Sequence, residues 1–459
     1  MGFDTSILRK WDIRGIYKEQ ITKEVAINVG FSFGRFLKEN NKHICIIGRD
    51  NRFGGKVLKE GLTYGLTESG IDVIDYGLIT TPMLNFACHK NDNAYGIMIT
   101  ASHNPKCDNG FKLFGEECLH LKTDKLTYFY EIMKKEERIL GDKKGKVTKK
   151  NIKDEYINDL VSKINLPKKT KVVVDCGNGT ASTIIKDVYD KLNCDVTYLY
   201  CESDPNFPNH HPDPNVFENL TDLRKMVVHT KSDLGIAYDG DADRVGIVDN
   251  LGNIIETDKL MSIYSKNILK KSDNKNIIID VKCSKALEDC IKNCGGNPIM
   301  VCNGSSYIES FVHDYPAIFG GEYSGHVFFN DKHYGYDDGI YAGLRLQEII
   351  IEENKSANML YEDYPKLVST PEIKVHCDDN IKFGIVDKVL EYCKEKKYDY
   401  LDIDGVRVKF DDGWALIRCS NTGPNLTLRF ESTTKEKTDK MQTEFMTLVD
   451  ELIKKANSN

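Results

Sequence analysis

The sequence lacks the features that mark membrane and nucleic-acid-binding proteins. No apolar run approaches the length of a membrane span, and the N-terminal stretch MGFDTSILRKWDIRG has no apolar core of a secretory signal. Acidic residues outnumber basic ones by 70 to 63, so the chain has no excess of positive charge to attract a nucleic acid. We therefore expect neither a membrane nor a nucleic acid as a partner.

Cysteine is present without the spacing that indicates a disulfide framework. The 14 cysteines among 459 residues include no Cys-x-x-Cys pair, and their fraction is far below that of a disulfide-rich scaffold. Because no secretory signal is visible, reduced thiols are the simplest interpretation. We expect a cytoplasmic protein.

Repeats of short period are also absent, which excludes a solenoid. Instead, short apolar runs alternate with helical stretches. The runs HICIIGRD, KVVVDCGNG, NIIIDVKCS and PIMVCNG each end in polar residues. This order predicts βαβ units on largely parallel sheets, in which ligands bind beyond the carboxyl ends of the strands. A length of 459 residues allows three or four such domains.

Two stretches have the composition of connectors. Residues 134–150 are rich in lysine, although a charged helix end is an alternative, and residues 353–373 contain two prolines and few periodic apolar positions. After the second connector, the alternating segments DGVRVKF and NLTLRF predict strands of a small α+β domain.

The segment ITASHNPKCDNGFKLFG, residues 99–115, places three reactive side chains close together. Ser102 and His103 are adjacent, and Lys112 follows an Asn-Gly turn. A hydroxyl, an imidazole and an ammonium on a predicted loop indicate a catalytic site.

Three aspartates alternate in the segment LGIAYDGDADRVGIVD. Asp239, Asp241 and Asp243 lie between apolar strands, where unpaired carboxylates would repel one another and would cost several kcal/mol per ion. Sharing a hard divalent cation removes the repulsion. The loop is not an EF-hand, because its sixth position is Arg244 and its twelfth is Asn250. We predict a Mg²⁺ site with open coordination positions; a solvated acidic turn is the alternative.

A guanidinium and a glycine-rich segment accompany these carboxylates. Arg244 directly follows the aspartates, and an arginine beside a cation suits a phosphoryl group. In GGEYSGHVFFNDKHYGYDDG, the side chains of Glu322, Ser324 and His326 alternate, so on an extended loop they would face one side. A carboxylate with a hydroxyl is suited to binding sugar hydroxyls, although this pattern alone is a weak signal.

The segment IRCSNTGPNLTLRF, residues 417–430, offers a dense group of hydrogen-bond donors. They are Arg418, Ser420, Asn421, Thr422 and the backbone N–H of Gly423. Such donors predict an anion cradle, and a simple turn beside a surface arginine is the alternative.

Together these stretches resemble the α-D-phosphohexomutase superfamily, most closely its phosphomannomutase/phosphoglucomutase branch. The resemblance extends through essentially the whole chain and includes, in family order, the motifs RKWDIRG, TASHNP, DGDADR, GEYSGH and RCSNTGP. It implies three related mixed α/β domains and a C-terminal α+β domain like the TATA-binding protein, around a central cleft. The implied domains are 1–147 (phosphoserine), 148–253 (metal), 254–365 (sugar) and 366–459 (phosphate).

The resemblance also implies an activity. Ser102 would be a phosphoserine that gives its phosphoryl group to the free hydroxyl of a hexose phosphate. The bisphosphorylated sugar would turn end for end and return its original phosphate, so that hexose 1-phosphate and hexose 6-phosphate of mannose, glucose or both interconvert. One Mg²⁺ per chain and an activating hexose 1,6-bisphosphate are the implied cofactors.

Each implied role falls on named residues. The catalytic residues would be Ser102, His103, Lys112, Arg244 and His326, of which Lys112 and His326 are candidates for moving the hydroxyl proton. Substrate would be bound by Arg14, Lys282, Glu322, Ser324, Arg418, Ser420, Asn421 and Thr422. The metal would be bound by Ser102, Asp239, Asp241 and Asp243.

Four positions depart from the family pattern. Trp11 stands where tyrosine is usual, and Tyr323 stands where the dual-specificity branch has methionine and the glucosamine branch has glutamine. Ser305 and Glu309 stand where many relatives have histidine and lysine. These departures bear on the sugar rather than on the reaction type.

Alternative functions therefore stay open. They are a phosphoglucosamine mutase, a phosphosugar-binding protein without turnover, and a serine-dependent phosphatase, which would release inorganic phosphate. For the mutase we expect phosphorylated hexose substrates and a monomer or weak dimer.

Overall fold

The computed structural model describes residues 2–92, 94–420 and 423–458. Four β-sheets follow one another along the chain, and helices accompany each of them. The architecture predicted from the sequence, three mixed α/β units followed by an α+β unit, is confirmed. Within the described ranges, no helix is both long enough and apolar enough to cross a bilayer.

The first sheet has the strand order β1-β5-β4-β2-β3-β6. Its strands are β1 (Ile13–Ile16), β2 (Ile44–Arg49), β3 (Asp72–Leu78), β4 (Tyr95–Ile99), β5 (Asp108–Phe114) and β6 (Val147–Lys149). Its helices are α1 (Lys23–Glu39), α2 (Gly55–Glu68), α3 (Thr81–Lys90) and α4 (Thr123–Lys134). β2 runs parallel to β3 and β4, whereas β5 is antiparallel to both β4 and β1. Local sequence fixes helix starts here, since the side chains of Thr22 and Thr80 cap α1 and α3.

The second sheet has the order β11-β10-β9-β7-β8. Its strands are β7 (Thr170–Asp175), β8 (Cys194–Leu199), β9 (Leu234–Tyr238), β10 (Val245–Asp249) and β11 (Ile254–Ile255), and its helices are α5 (Lys153–Ser162), α6 (Ile185–Tyr189) and α7 (Thr221–Thr230). β7 is parallel to both β8 and β9. β9 and β10 pair antiparallel, so the three aspartates lie in the turn between them.

The third sheet has the order β13-β12-β14-β15. Its strands are β12 (Asn276–Asp280), β13 (Asn297–Val301), β14 (Phe319–Gly321) and β15 (Val327–Phe329), and its helices are α8 (Thr257–Leu269), α9 (Lys285–Asn293), α10 (Ser305–Asp314) and α11 (Gly339–Glu353). β12 is parallel to β13 and β14, and β14 and β15 pair antiparallel.

The fourth sheet is antiparallel in every pairing between its described strands. Its strands are β16 (Val368–Ser369), β17 (Ile373–His376), β18 (Asp399–Leu401), β19 (Val406–Phe410), β20 (Gly413–Cys419) and β21 (Asn425–Ser432), and its helices are α12 (Lys382–Lys396) and α13 (Lys435–Asn457). Short 3-10 helices elsewhere span Thr5–Ile7, Glu116–Cys118, Thr180–Thr183, Phe217–Leu220 and Ala357–Tyr361.

The distribution of the hydrophobic core separates the fourth unit from the others. One buried cluster contains Met98, Val172 and Ile277 and therefore runs through the first three units. The fourth unit has its own core, and a small cluster that includes Val281 and Trp414 joins it to the third. The domain boundaries stay a prediction; β6, which pairs with β3, lies across the boundary predicted at 147/148.

Candidate active site

The loop that follows β4, residues 100–107 (the serine loop), brings Ser102 against the second unit. The Oγ of Ser102 lies 2.7 Å from Oδ2 of Asp239 and 3.2 Å from Nδ1 of His103. Ser102 is buried, and its φ of +49° is in the left-handed region, which residues other than glycine seldom adopt. Its N–H donates to Oγ1 of Thr100 at 2.8 Å. The structure thus joins the serine to the predicted metal site.

The turn between β9 and β10, residues 239–244 (the aspartate loop), gathers three buried carboxylates. Asp239, Asp241 and Asp243 each offer an oxygen within 4.8 Å of the others. One oxygen of Asp241 and one of Asp243 are buried without a hydrogen-bond partner among the described residues. Buried carboxylate oxygens without partners are costly, and a hard divalent cation prefers such oxygens. The donor set therefore fits a cation of this kind.

Lys112 lies on β5 and reaches the same carboxylates. Its Nζ is 2.9 Å from Oδ2 of Asp241, and it also pairs with Asp243. Burial alone would lower the pKa of Lys112, but the two aspartates outweigh it and raise the pKa overall. For the carboxyl of Asp241 the signs are reversed. Burial alone would raise its pKa, but the Lys112 ammonium outweighs burial and lowers the pKa overall. Lys112 is therefore a charged ammonium at neutral pH.

Arg244 connects the aspartate loop to His326. The Nε of Arg244 lies 2.9 Å from Nε2 of His326, and Nδ1 of His326 lies 2.7 Å from Oδ2 of Asp337. A guanidinium N–H can only donate, so Nε2 accepts and the ring proton is on Nδ1, facing Asp337. Burial lowers the pKa of His326 to about 4, so its imidazole is neutral near pH 7.

The segment with Glu322, residues 322–326 (the sugar loop), is a tight turn between β14 and β15 rather than an extended loop. The N–H of Glu322 donates to the carbonyl of His326 at 2.9 Å, and Gly325 has a φ of +95° that favours glycine. Glu322 and His326 lie opposite each other across this turn. The extended loop assumed for Glu322, Ser324 and His326 is not formed, and their action on one ligand stays a prediction.

Glu322 belongs to a polar group in the third unit. One of its carboxylate oxygens accepts a hydrogen bond from Asn303 and lies 4.0 Å from Nζ of Lys282. The Nζ of Lys282 lies 3.1 Å from Oε1 of Glu372. Burial alone would lower the pKa of Lys282, but Glu372 and neighbouring carboxylates outweigh burial and raise the pKa overall. The Oγ of Ser324 is buried and has no hydrogen-bond partner in the described part of the chain, so its hydrogen-bonding capacity is unused there.

The segment 418–424 (the phosphate loop) begins with Arg418 near the end of β20, and its described residues belong to the fourth unit. The Nε of Arg418 is 3.0 Å from Oδ2 of Asp404, which also accepts the N–H of Asn303 at 3.0 Å. Asp404 therefore ties the phosphate loop to the third unit.

A lysine that the sequence interpretation missed supports this loop. The Nζ of Lys382 donates to the carbonyl oxygens of Ser420 and Gly423 at 2.9 and 3.3 Å. The predicted ligands Asn421 and Thr422 lie outside the described residues.

Arg14 and His103 border the serine loop. Arg14, on β1, donates to Oδ1 of Asn104 at 2.8 Å and pairs with Asp12. Burial, with Arg244 and Arg14 nearby, holds the pKa of His103 well below its usual value, so His103 is a neutral imidazole beside Ser102.

The two aromatic residues that depart from the family pattern, Trp11 and Tyr323, make contacts between units. Trp11 packs against Tyr307, with ring centroids 5.5 Å apart, and thus joins the first and third units. The guanidinium of Arg429 lies 3.9 Å from the ring centroid of Tyr323, which joins the sugar loop to the fourth sheet.

The two other unusual positions lie on α10. Ser305 begins this helix. Glu309 is fully buried and accepts hydrogen bonds from the backbone N–H of His120, at 2.8 Å, and from its Nδ1, at 2.9 Å. Glu309 therefore pairs with the first unit.

Several polar residues of the site were not among the predicted site residues, although Asp280, Asn303 and Asp337 lie in segments quoted above. They are Arg52, Asp280, Asn303, Asp337, Glu372, Lys382 and Asp404. Some signal was available, since Arg52 and Asn303 follow the ends of β2 and β13, where ligands bind in such sheets. Asp337 lies in the quoted glycine-rich segment, but nothing local indicated its contact with His326.

Comparison with known proteins covers nearly the whole chain. The four domains described as phosphoglucomutase/phosphomannomutase α/β/α domains I, II and III and C-terminal domain match residues 5–139, 154–252, 256–367 and 372–448.

Individual proteins match over similar lengths. A phosphomannomutase/phosphoglucomutase of Pseudomonas syringae pv. tomato is 40% identical over 95% of this chain and 93% of its own. A probable phosphoglucosamine mutase of Methanosphaera stadtmanae is less similar, at 34% identity over 95% of this chain and 96% of its own. A crystal structure of a phosphoglucomutase/phosphomannomutase family protein from Burkholderia thailandensis superposes with a TM-score of 0.91, at 33% identity over 98% of both chains.

Proposed function

The chain belongs to the phosphoglucomutase/phosphomannomutase family of isomerases, and we propose that Ser102 carries the phosphoryl group that it moves between O1 and O6 of a hexose. The observation that carries this proposal is the 2.7 Å contact between Oγ of Ser102 and Asp239 in the buried aspartate cluster. A hydroxyl held beside a cation site is suited to carry a phosphoryl group, because catalysis of phosphoryl transfer depends mainly on positioning and charge neutralisation.

The resting enzyme would hold phosphate on Ser102 and pass it to the free hydroxyl of a bound hexose phosphate. Mg²⁺, held by Asp239, Asp241, Asp243 and the Ser102 phosphate, would neutralise the charge of the phosphoryl group in transfer. From the protein itself, Arg244 and the Lys112 ammonium provide positive charge at the same place. After the bisphosphorylated sugar turns end for end, Ser102 receives the original phosphate.

His326 is the group we assign to the hydroxyl proton. Its Nε2 accepts a hydrogen bond from Arg244, and its Nδ1 is fixed by Asp337. When the Arg244 guanidinium turns toward phosphoryl oxygens, the lone pair of Nε2 becomes free to accept the proton. Lys112, which is protonated, acts as a positive charge and as a hydrogen-bond donor rather than as a base.

The remaining residues hold the two ends of the sugar. We assign the sugar hydroxyls to Glu322 and to Ser324, whose Oγ has no hydrogen-bond partner among the described residues. The phosphate that does not react would be anchored by the phosphate loop, and its ligands are Arg418, Ser420, Asn421 and Thr422. Arg14 and Lys282 would add positive potential, and His103 would border the reacting oxygen.

We propose mannose and glucose phosphates as the substrates. The phosphomannomutase/phosphoglucomutase of Pseudomonas syringae is more similar to this chain than the probable phosphoglucosamine mutase is. This supports mannose and glucose phosphates over the amino sugar. An activating hexose 1,6-bisphosphate follows from the same scheme, because a bisphosphate that escapes leaves the serine dephosphorylated. We place the reaction in the cytoplasm, in keeping with 14 cysteines that form no disulfide in the structure.

A coupled assay tests the proposal. Mannose 1-phosphate, glucose 1-phosphate and glucosamine 1-phosphate are supplied separately, and both the 6-phosphate product and inorganic phosphate are measured. We expect turnover of the first two sugars without stoichiometric release of phosphate. Release of phosphate would instead identify a phosphatase, and preference for the amino sugar would identify a phosphoglucosamine mutase.

A further inference from the structure

Arg52 lies beneath the serine loop and binds its backbone. The Nη2 of Arg52 is 2.6 Å from the carbonyl oxygens of Ser102 and Asn104, and its Nη1 is 2.7 Å from that of Pro105 and 3.2 Å from that of Asp108. The side chain of Arg52 has no solvent exposure. One buried guanidinium therefore holds four carbonyl groups of the serine loop and its continuation.

This arrangement requires arginine specifically. A guanidinium has five N–H donors in a rigid plane, whereas a lysine has one nitrogen with three donors on a flexible stem. The charge of Arg52 is balanced by buried Asp50, whose Oδ2 lies 3.3 Å from Nε of Arg52. The same oxygen of Asp50 accepts a hydrogen bond from Oγ1 of Thr100 at 2.7 Å, so the pair is anchored at the start of the serine loop.

The backbone that Arg52 holds is strained. Ser102 has a φ of +49°, and a residue other than glycine persists in this conformation only where its surroundings impose it. Gly240 of the aspartate loop also approaches this backbone, so closely that a Cβ there would be 2.5 Å from the Ser102 carbonyl oxygen. Both Arg52 and the backbone of the aspartate loop therefore lie close to the carbonyl of Ser102.

We propose that Arg52 is a positioning residue for phosphoryl transfer. It fixes Ser102 in the left-handed conformation and thereby keeps Oγ beside Asp239. Every described hydrogen bond from Arg52 to the serine loop goes to a backbone carbonyl, so Arg52 acts through Ser102 and not on the substrate. The inference rests on the proposed role of Ser102, but it assigns a function that the serine, the aspartates and the sugar-binding residues do not supply.

The substitution Arg52→Lys separates positioning from charge. It keeps a buried cation beside Asp50 but cannot hold four carbonyls at once. We expect kcat to fall by about 100-fold, the scale of a small misplacement of a reacting group, while KM for glucose 1-phosphate stays within about threefold. KM should change little because Arg52 makes no described contact with Glu322, Ser324 or Arg418.

A matched control is available in Arg345. This arginine is also fully buried and is 2.7 Å from Asp331 and 2.6 Å from Glu348, on α11, away from the serine loop. Arg345→Lys should lower the melting temperature but leave kcat nearly unchanged. A loss of kcat that follows stability equally in both variants would mean that Arg52 is only a structural residue.

Chemical rescue gives a second, independent readout. Arg52→Ala leaves space for a small guanidinium. We expect millimolar methylguanidinium to raise the kcat of Arg52→Ala at least about tenfold and to leave the kcat of Ser102→Ala unchanged. Wild-type kcat in Arg52→Lys, or no rescue of a folded Arg52→Ala, would overturn the inference. If Arg52→Lys does not fold, Asp50→Asn tests the same support and should also lower kcat with KM preserved.

The proposed function itself is judged separately. If Ser102→Ala keeps wild-type activity, the role of Ser102 fails whatever Arg52 does. If Ser102→Ala is inactive and Arg52→Lys is fully active, only the inference on Arg52 fails.

Discussion

The Oγ of Ser102 and Oδ2 of Asp239 lie 2.7 Å apart although 137 positions separate the two residues in the chain. The serine follows a strand of the first sheet, and the aspartate follows a strand of the second. Their contact is therefore made by the packing of two units, and it creates one buried site from a hydroxyl and a set of carboxylates.

Ser102→Ala should abolish turnover. The variant removes the oxygen that accepts the phosphoryl group, so we expect a loss of at least about 10⁴ in kcat. Intact-mass spectrometry of the purified wild type should show a form heavier by about 80 Da, one phosphoryl group, that is absent from the variant. Ser162→Ala, which changes an exposed serine of α5, should retain both activity and the heavier form. Wild-type rates in Ser102→Ala would exclude the phosphoserine.

Asp241→Asn should weaken the binding of Mg²⁺ at the aspartate loop and lower kcat. The amide keeps the shape of the side chain but removes one of three carboxylate charges, so we expect kcat to fall by about 100-fold or more and the Mg²⁺ concentration for half-maximal activity to rise. The unfolding midpoint should change little by comparison. Titration of activity with Mg²⁺ after exhaustive chelation checks this, with Asp222→Asn, a half-exposed residue of α7, as the control. Full activity in chelator would contradict the metal site.

Glu322→Ala should impair mannose and glucose phosphates alike. The two sugars differ only at C2, and we assign Glu322 to hydroxyls that they share. We expect the wild-type values of kcat/KM for the two 1-phosphates to lie within about 100-fold of each other, or ~3 kcal/mol. The variant should lower both by a similar factor. Loss of one activity with the other spared would show that the sugar loop distinguishes C2 directly.

The pairing of His120 with Glu309 should make stability depend on pH. Burial alone would lower the pKa of His120, but Glu309, 2.9 Å from Nδ1, raises it above its ordinary value. Because the folded protein binds this proton more tightly than the unfolded chain, the stabilisation is complete below about pH 6.5 and is lost as pH rises through the folded pKa.

The measurement for this pair is the free energy of unfolding between about pH 6 and pH 9. We expect His120→Gln to make the decrease over this range smaller than it is in the wild type. His376→Gln, which changes an exposed histidine of β17, should leave the pH dependence unchanged. An identical slope in wild type and His120→Gln would show that the pair is not charged in the folded protein.

Local sequence accounts for much of the fold. The apolar runs ending in polar residues predicted the strands that became β2, β7, β12 and β13, and the capping threonines Thr22 and Thr80 mark the starts of helices. These features depend on neighbouring residues, so they are readable without the tertiary structure. Residue types and motif order likewise indicated a serine, three aspartates and a donor-rich loop, and the family resemblance is confirmed by all four matched domains.

The tertiary structure decided how these groups act on one another. That Nε2 of His326 accepts from Arg244 while Nδ1 faces Asp337, that Lys112 is paired with two aspartates, and that Arg52 supports Ser102 all depend on contacts between distant segments. The turn at Gly325 places Glu322 and His326 opposite each other, where the sequence pattern suggested an extended loop. Sequence by itself determined which chemical groups are present and on which loops, because that information is local. Only the packing of the sheets fixed their distances, burial and protonation, because these depend on residues far away in the chain.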